Sequence, residues 1–385
     1  MAQKPWGPFA CALIALTGFQ WQAAAQATPP TVSIGVGWST LHLDNTEFAS
    51  VTDFFVTEVI GKTEDHDGQL NGARLSGEIA GLFSRSYGSW QGQAALKGFY
   101  SQYESDQSSR CAFSGTDTDC VFFPLFDPNP EGRVPDTPVA KTDNNPSNYA
   151  PDLSGGFFSD WRTKTEREAS HWGVAVEWRF RRGDALPSLK DGTTVSLKDA
   201  PPVSQASSFE WRTGLAFRRL DQKLKLTSED LGPTADPVTL HDDLDSSYYG
   251  AYIGFGASRA LGWGYRLTLS GETGLYYSDS TYDGKYTATD TLGGGPISQS
   301  ISLSDDSPAF IGMLGVALEK QVSFGTFGLF GEAEWISHVP KVLYNDTDRN
   351  GGFPYDTIGA QDGTEIGSGS AFGYTIGARV SIPLR

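Results

Sequence analysis

After residue 27 the chain has no apolar run approaching the about 18 residues that a transmembrane helix requires, which excludes a helical membrane protein. Charge is nearly absent at the start, where Lys4 is the only charge before Asp44. Cysteine is rare, with 3 in 385 residues, and no Cys or His pair of metal-ligand spacing accompanies it. No segment resembles a nucleotide-binding or nucleic-acid motif, and a net charge of -17 argues against a nucleic-acid partner. Nothing calls for a cofactor or a catalytic metal. What the chain has instead is glycine (45 residues) and aromatics (12%), a balance that favours β-structure in an exported protein.

Export is read from residues 1–27. Phe9–Leu16 is a short apolar run, and Ala23-Ala-Ala-Gln-Ala27 supplies small residues for a signal peptidase, so the segment reads as a signal peptide. Cys11 falls within this leader. The remaining pair, Cys111 and Cys120, brackets the polar segment CAFSGTDTDC; in an oxidising compartment so close a pair is expected to form a disulfide.

Ten segments alternate with a period of two, the pattern of strands with two unlike faces. They are 31–43, 72–84, 89–103, 169–181, 209–220, 247–260, 265–277, 308–320, 326–338 and 371–385. The fourth contains HWGVAVEWRFRR, with Trp172, Val174, Val176, Trp178 and Phe180 on one face and His171, Glu177, Arg179 and Arg181 on the other. Tight connections at 84–89, 260–264 and 321–325 alternate with long polar ones at 44–71, 104–168, 227–246, 278–307 and 339–370. Short turns alternating with long loops mark an all-β fold, a transmembrane up-and-down antiparallel barrel of about ten strands. The connection 182–208 is too long for a short turn, and a further strand pair near Thr193–Lys198 would raise the count to twelve.

The polar faces carry Arg74, Lys97, Arg179, Arg181, Arg212, Arg218, Arg266 and Arg379 against Glu78, Glu177, Glu210, Glu272, Glu319, Glu332 and Glu334. These fifteen charges nearly balance, as a barrel interior filled by ion pairs requires, since unpaired buried charge is costly. On the apolar faces Trp38, Trp90, Trp172, Trp178, Trp211, Trp263 and Trp335, with Tyr100, Tyr265 and Tyr374, fall near strand ends, where interfacial girdles belong. With these features the chain resembles the Gram-negative outer-membrane β-barrel superfamily, porin-like but of no particular subfamily, over nearly all of its mature length. That resemblance implies the cell outer membrane, contact with its lipid and lipopolysaccharide, delivery by the barrel-assembly machinery, and a monomer. The family ends its final strand with an aromatic residue; here the chain ends Pro383-Leu384-Arg385.

Three stretches bear on function. Asn345–Gly352 (NDTDRNGG) spaces Asp346, Asp348, Asn350 and Gly351 like the first half of a calcium loop, but Thr357 stands where the closing acid belongs, so it reads as an acidic surface loop. His171 and His338 fall near the external strand ends on the lumen side, and with an acid they would suit a rim hydrolase, though no motif of the barrel proteases, phospholipases or lipid A deacylases is present. The loops are acidic: 227–246 holds six acids and no Lys or Arg. The sequence therefore points to a non-enzymatic barrel with a charge-filled lumen and acidic surface loops, either a structural or surface-display barrel or a narrow porin-like channel for small solutes.

Overall fold

A computed structural model describes residues 30–53, 62–66, 68–87, 90–111, 120–124, 161–182, 207–230, 238–290, 295–343 and 365–384. Thirteen strands run in chain order: β1 (Thr31–Leu43), β2 (Thr46–Asp53), β3 (Lys62–His66), β4 (Gln69–Tyr87), β5 (Trp90–Cys111), β6 (Cys120–Pro124), β7 (Trp161–Arg182), β8 (Ser207–Asp230), β9 (Val238–Gly262), β10 (Tyr265–Asp290), β11 (Gly295–Val322), β12 (Gly325–Leu343) and β13 (Glu365–Pro383). Ten of them close an antiparallel ring in the order β1-β13-β12-β11-β10-β9-β8-β7-β5-β4, and β3-β2-β6 form a small separate sheet. Closure comes from the first and last ring strands, which pair from Thr31↔Pro383 to Leu43↔Ala371. Closing the ring leaves no unpaired barrel edge, the condition for β-structure in hydrocarbon.

The two ends of the ring differ as the turn lengths indicate. Trp263-Gly264 and Ser323-Phe324 make two-residue turns. In the first, Gly262, Trp263 and Gly264 all have positive φ, and the Trp263 ring stands 94% exposed where an interfacial anchor would sit. At the other end the strands extend far beyond what a bilayer needs. About 11 residues cross hydrocarbon, whereas β9, β10 and β11 have 25, 26 and 28 residues.

Much of what reads as external loop in the sequence is therefore strand. Within the expected loop 227–246 the described residues 227–230 and 238–246 are strand, and within 278–307 so are 278–290 and 295–307. The loops expected at 104–168 and 339–370 likewise begin and end within strands, and that at 44–71 ends within one; β2 and β3 lie inside 44–71 and β6 inside 104–168. The physical reason is that alternation continues but changes sense. In the bilayer-crossing part of β8 the outward residues are Trp211, Leu215 and Phe217 and the inward ones Arg212 and Arg218. Farther out the outward residues are Arg219, Lys223 and Lys225 and the inward ones Leu220, Leu224 and Leu226.

Residues 1–29 and the loop Asn345–Gly352 lie outside the described residues, so the leader and the calcium comparison are not addressed by the fold. The side chains of Cys111 and Cys120 are likewise outside them. Thr193–Lys198 lies outside them too, but β7 pairs directly with β8 and the ring closes with ten strands, so the twelve-strand alternative is overturned: no strand pair enters the barrel between β7 and β8.

The lumen as candidate functional site

Outward-facing side chains form a continuous apolar band. On β8 it runs from Phe209 to Phe217, about nine residues, the length of a tilted spanning strand. Leu215 at its middle is 70% exposed, an unfavourable position in water and a proper one in lipid. The outer margin is a girdle of touching rings: Trp172 to Phe217 at 5.1 Å, Phe217 to Tyr249 at 5.0 Å, and Phe310 to Trp335 at 5.9 Å between centroids. Phe209 and Trp211, 5.3 Å apart, belong to the inner margin.

Inside that band the charged residues meet across the lumen. Lys97 Nζ is 2.6 Å from Glu272 Oε1 and 3.2 Å from Glu177 Oε2, and Arg212 Nη1 donates to Glu272 Oε1 at 2.9 Å. Arg179 grips Glu78 with both terminal nitrogens at 2.8 and 2.6 Å, and its Nε donates to Glu177. Tyr252 also donates its hydroxyl to Glu177. Gly214 makes room for that ring, since a Cβ there would come within 2.8 Å of it. Higher up, Arg218 donates to Glu334 at 2.6 Å, and Arg74 lies 3.6 Å from Glu332 and 4.0 Å from Glu334. Nearer the short turns, Arg379 holds Glu319 at 2.8 Å and Arg181 holds Glu210 at 3.0 Å. Arg266 lines the same space beside Glu319 on the neighbouring strand. All fifteen charges named from the sequence thus occupy one interior network or its mouth.

The network is capped outward by an apolar layer that the sequence reading missed. Leu41, Leu70, Tyr103, Ala169, Leu220, Tyr248, Tyr276, Ile311, Ile336 and Ala371 form one buried cluster to which each of the ten ring strands contributes. The signal was available in segments such as RRLDQKLKL, where leucines occupy the face that carries arginine lower down. Beneath the layer a chamber of about 320 Å³ is bounded by the charged network. At the height of the layer a second void of about 10 Å³, beside Tyr103, His171 and Ile336, is too small for a solute.

Above the layer, the end of β12 crosses toward the opposite wall. A register shift between Ile336 and Val339 releases it from the straight ladder. Tyr248 then donates its hydroxyl to the His338 carbonyl at 3.2 Å, and Gln222 Nε2 to the Pro340 carbonyl at 3.2 Å. Arg167 Nη1 donates to the Asp44 carbonyl at 3.2 Å, while Lys341 lies 3.7 Å from the Asp44 carboxylate.

His171 does not lie at the external rim. It is buried below the apolar layer, edge-to-face with Phe99 at 4.8 Å and 3.8 Å from Glu334, because its lumen-facing position sits at the height of Ser101 rather than at the strand end. His338 does lie outside the layer. Its Nδ1 is 2.8 Å from Ser368 Oγ and its Nε2 is 3.7 Å from Asp305 Oδ2. Farther along the same outer region, Tyr282 donates to the buried carboxyl of Asp242 at 2.7 Å. Burial, with the neighbouring Asp243 charge, pushes that carboxyl up to about 7 against the opposing Tyr282 hydrogen bond.

A closed antiparallel ring with short turns at one end, an outward apolar band and aromatic girdles makes this chain an integral outer-membrane β-barrel. No known family matches its sequence, and no curated protein matches it. Among solved structures it is similar to the outer-membrane protease OmpT of Escherichia coli, at 9% identity over 94% of this chain and 99% of that one, with a TM-score of 0.43. It is similar also to a Pseudomonas aeruginosa FadL homologue, 9% identical over 93% and 91%, TM-score 0.22. The translocator domain of the autotransporter NalP from Neisseria meningitidis is 9% identical over 96% and 92%, TM-score 0.17. At scores this low the likenesses carry no argument about activity.

Proposed function

We propose that this protein is a surface-display barrel with a closed lumen, whose working surface is the β-structure projecting beyond the membrane. The observation that supports this reading is the apolar layer drawn from all ten ring strands, which leaves no solute-sized path above the chamber among the described residues. Beyond the layer the β10–β11 part of the projecting wall presents Asp279, Asp283 and Asp306 outward, an acidic stretch suited to divalent cations or cationic partners rather than to anionic solutes. Refolded protein in planar bilayers is expected to be electrically silent while showing the gel shift of a folded barrel. Steady open steps would overturn the closed reading and support a narrow porin-like channel.

A second reading, a hydrolase at the outer rim, draws support from Ser368, His338 and Asp305. With the imidazole proton on Nε2, the serine hydroxyl donates to Nδ1 as a nucleophile does to its base, while the Asp305 carboxylate, at 3.7 Å from Nε2, would have to close by about 0.7 Å to hydrogen-bond and orient the ring. Labelling by a fluorophosphonate probe that disappears in Ser368→Ala and in His338→Ala would carry this reading. An unlabelled, folded wild type would end it.

A further inference from the structure

The chamber beneath the apolar layer has more cations than carboxylates on its wall. Arg74, Lys97, Arg179, Arg181, Arg212, Arg218, Arg266 and Arg379 border it, against Glu78, Glu210, Glu272, Glu319 and Glu332. Glu177 and Glu334 lie behind the wall and neutralise two of these cations, which leaves one positive charge over. The excess has an address. Glu319 lies opposite Arg266 on the adjacent strand, yet the close contact to Glu319, at 2.8 Å, is made by Arg379. Among the described residues no carboxylate comes within ion-pair distance of Arg266, and the charge of Arg181 acts on it unfavourably. Exposure shows which way the chamber opens: the Arg179 side chain is 10% exposed and that of Arg181, nearer the short turns, 45%. Ser208, Ser258 and Thr268 line the same mouth and add neutral hydroxyl donors.

Farther in, donors remain unused. The Arg74 side chain is nine-tenths buried, holds its two carboxylates only at 3.6 and 4.0 Å, and has an Nε without a hydrogen-bond partner. Arg212 Nε likewise has no hydrogen-bond partner, with the Glu210 carboxylate at 3.9 Å. Buried guanidinium N–H groups without acceptors are costly and call for an oxyanion.

We propose that the short-turn end of the lumen is a binding site for a small oxyanion solute of the phosphate or carboxylate class, captured at its mouth by Arg266 and Arg181. A guanidinium fork matches the planar or tetrahedral oxygens of such groups, and Arg181, which holds Glu210 by one terminal nitrogen, has further N–H groups to give. The chamber, at about 320 Å³, has the volume of a small-ligand pocket. The site does not need the lumen to be closed, so conduction by the barrel would leave it standing.

The test is titration calorimetry of the full refolded chain in detergent at low ionic strength, with inorganic phosphate as probe and acetate in a parallel series. Saturable uptake of one anion per barrel is expected, with affinity lowered about tenfold in Arg266→Gln and largely kept in Arg266→Lys. Arg219→Gln, whose side chain lies on the outer face with Asp221 and Asp245, serves as the control and is expected to bind like wild type. The stronger of the two probes assigns the oxyanion class. Absence of saturable binding to either by protein that shows the folded gel shift would overturn the site, and so would equal binding by a folded Arg266→Gln variant.

Discussion

Lys97 on β5 and Glu272 on β10 meet at 2.6 Å, although β7, β8 and β9 lie between them around the ring. A contact across the lumen holds opposite walls together, and Arg212 shares the same carboxylate at 2.9 Å. Removing one member leaves the others buried with uncompensated charge. Glu272→Ala is expected to destabilise the barrel by about 3–5 kcal/mol, and Lys97→Met with Glu272→Met by less than that. Urea unfolding in lipid vesicles, followed by tryptophan fluorescence, measures the difference.

The apolar layer predicts a variant that conducts. Leu220 on β8, Tyr248 on β9 and Tyr103 on β5 belong to the layer, and each is almost wholly buried. Replacing all three by Ala removes the bulk that separates the chamber from the outside. Planar-bilayer recordings are expected to change from silence to discrete open steps, at a stability cost of about 2–5 kcal/mol for the leucine alone. A folded triple variant that stays silent would place the barrier elsewhere.

Lipid contact predicts depth-dependent penalties. Leu215→Arg, at the middle of the outward band on β8, is expected to cost about 2–4 kcal/mol in vesicle-based unfolding, whereas Lys223→Leu on the projecting part of the same strand is expected to be nearly neutral for bilayer insertion. Equal effects at the two positions would contradict the placement of the bilayer.

Asp242 predicts a pH dependence of the projecting β-structure. Its carboxyl lies near 7 in the fold against an ordinary 3.8, so the folded state binds the extra proton between those values. The stabilisation is full in acid, falls as the pH rises from about 4 to about 7, and is gone above that. Amide exchange around Leu240–Leu244 and Thr281–Lys285, corrected for intrinsic rates, is expected to be slower at pH 5 than at pH 8. Asp242→Asn keeps an acceptor for the Tyr282 hydroxyl and should abolish the difference.

The alternation of HWGVAVEWRFRR set a strand with two unlike faces, and the short turns alternating with long connections, together with the balanced inward charges, set the barrel class. A period of two fixes which residues share a face, and among β-structures only a closed barrel satisfies every backbone group in hydrocarbon. The short turns and the set of inward arginines and glutamates were equally legible, because both follow from local pattern. Partner choice was not: nothing local says that Arg179 takes Glu78, that Arg379 takes Glu319 from Arg266, or that Lys97 reaches β10. Those pairings depend on ring order and register, which are long-range. Nor did the pattern alone show that His171 is sealed below an apolar layer while His338, released by a register shift, meets Ser368 and Asp305. The largest revision has a single cause. Where the strands leave the bilayer, the outer solvent changes from lipid to water, so charge moves to the outside and leucine and tyrosine to the inside. A reading keyed to one polarity takes that inverted stretch for loop, and only the assembled ring shows that the same strands continue through it.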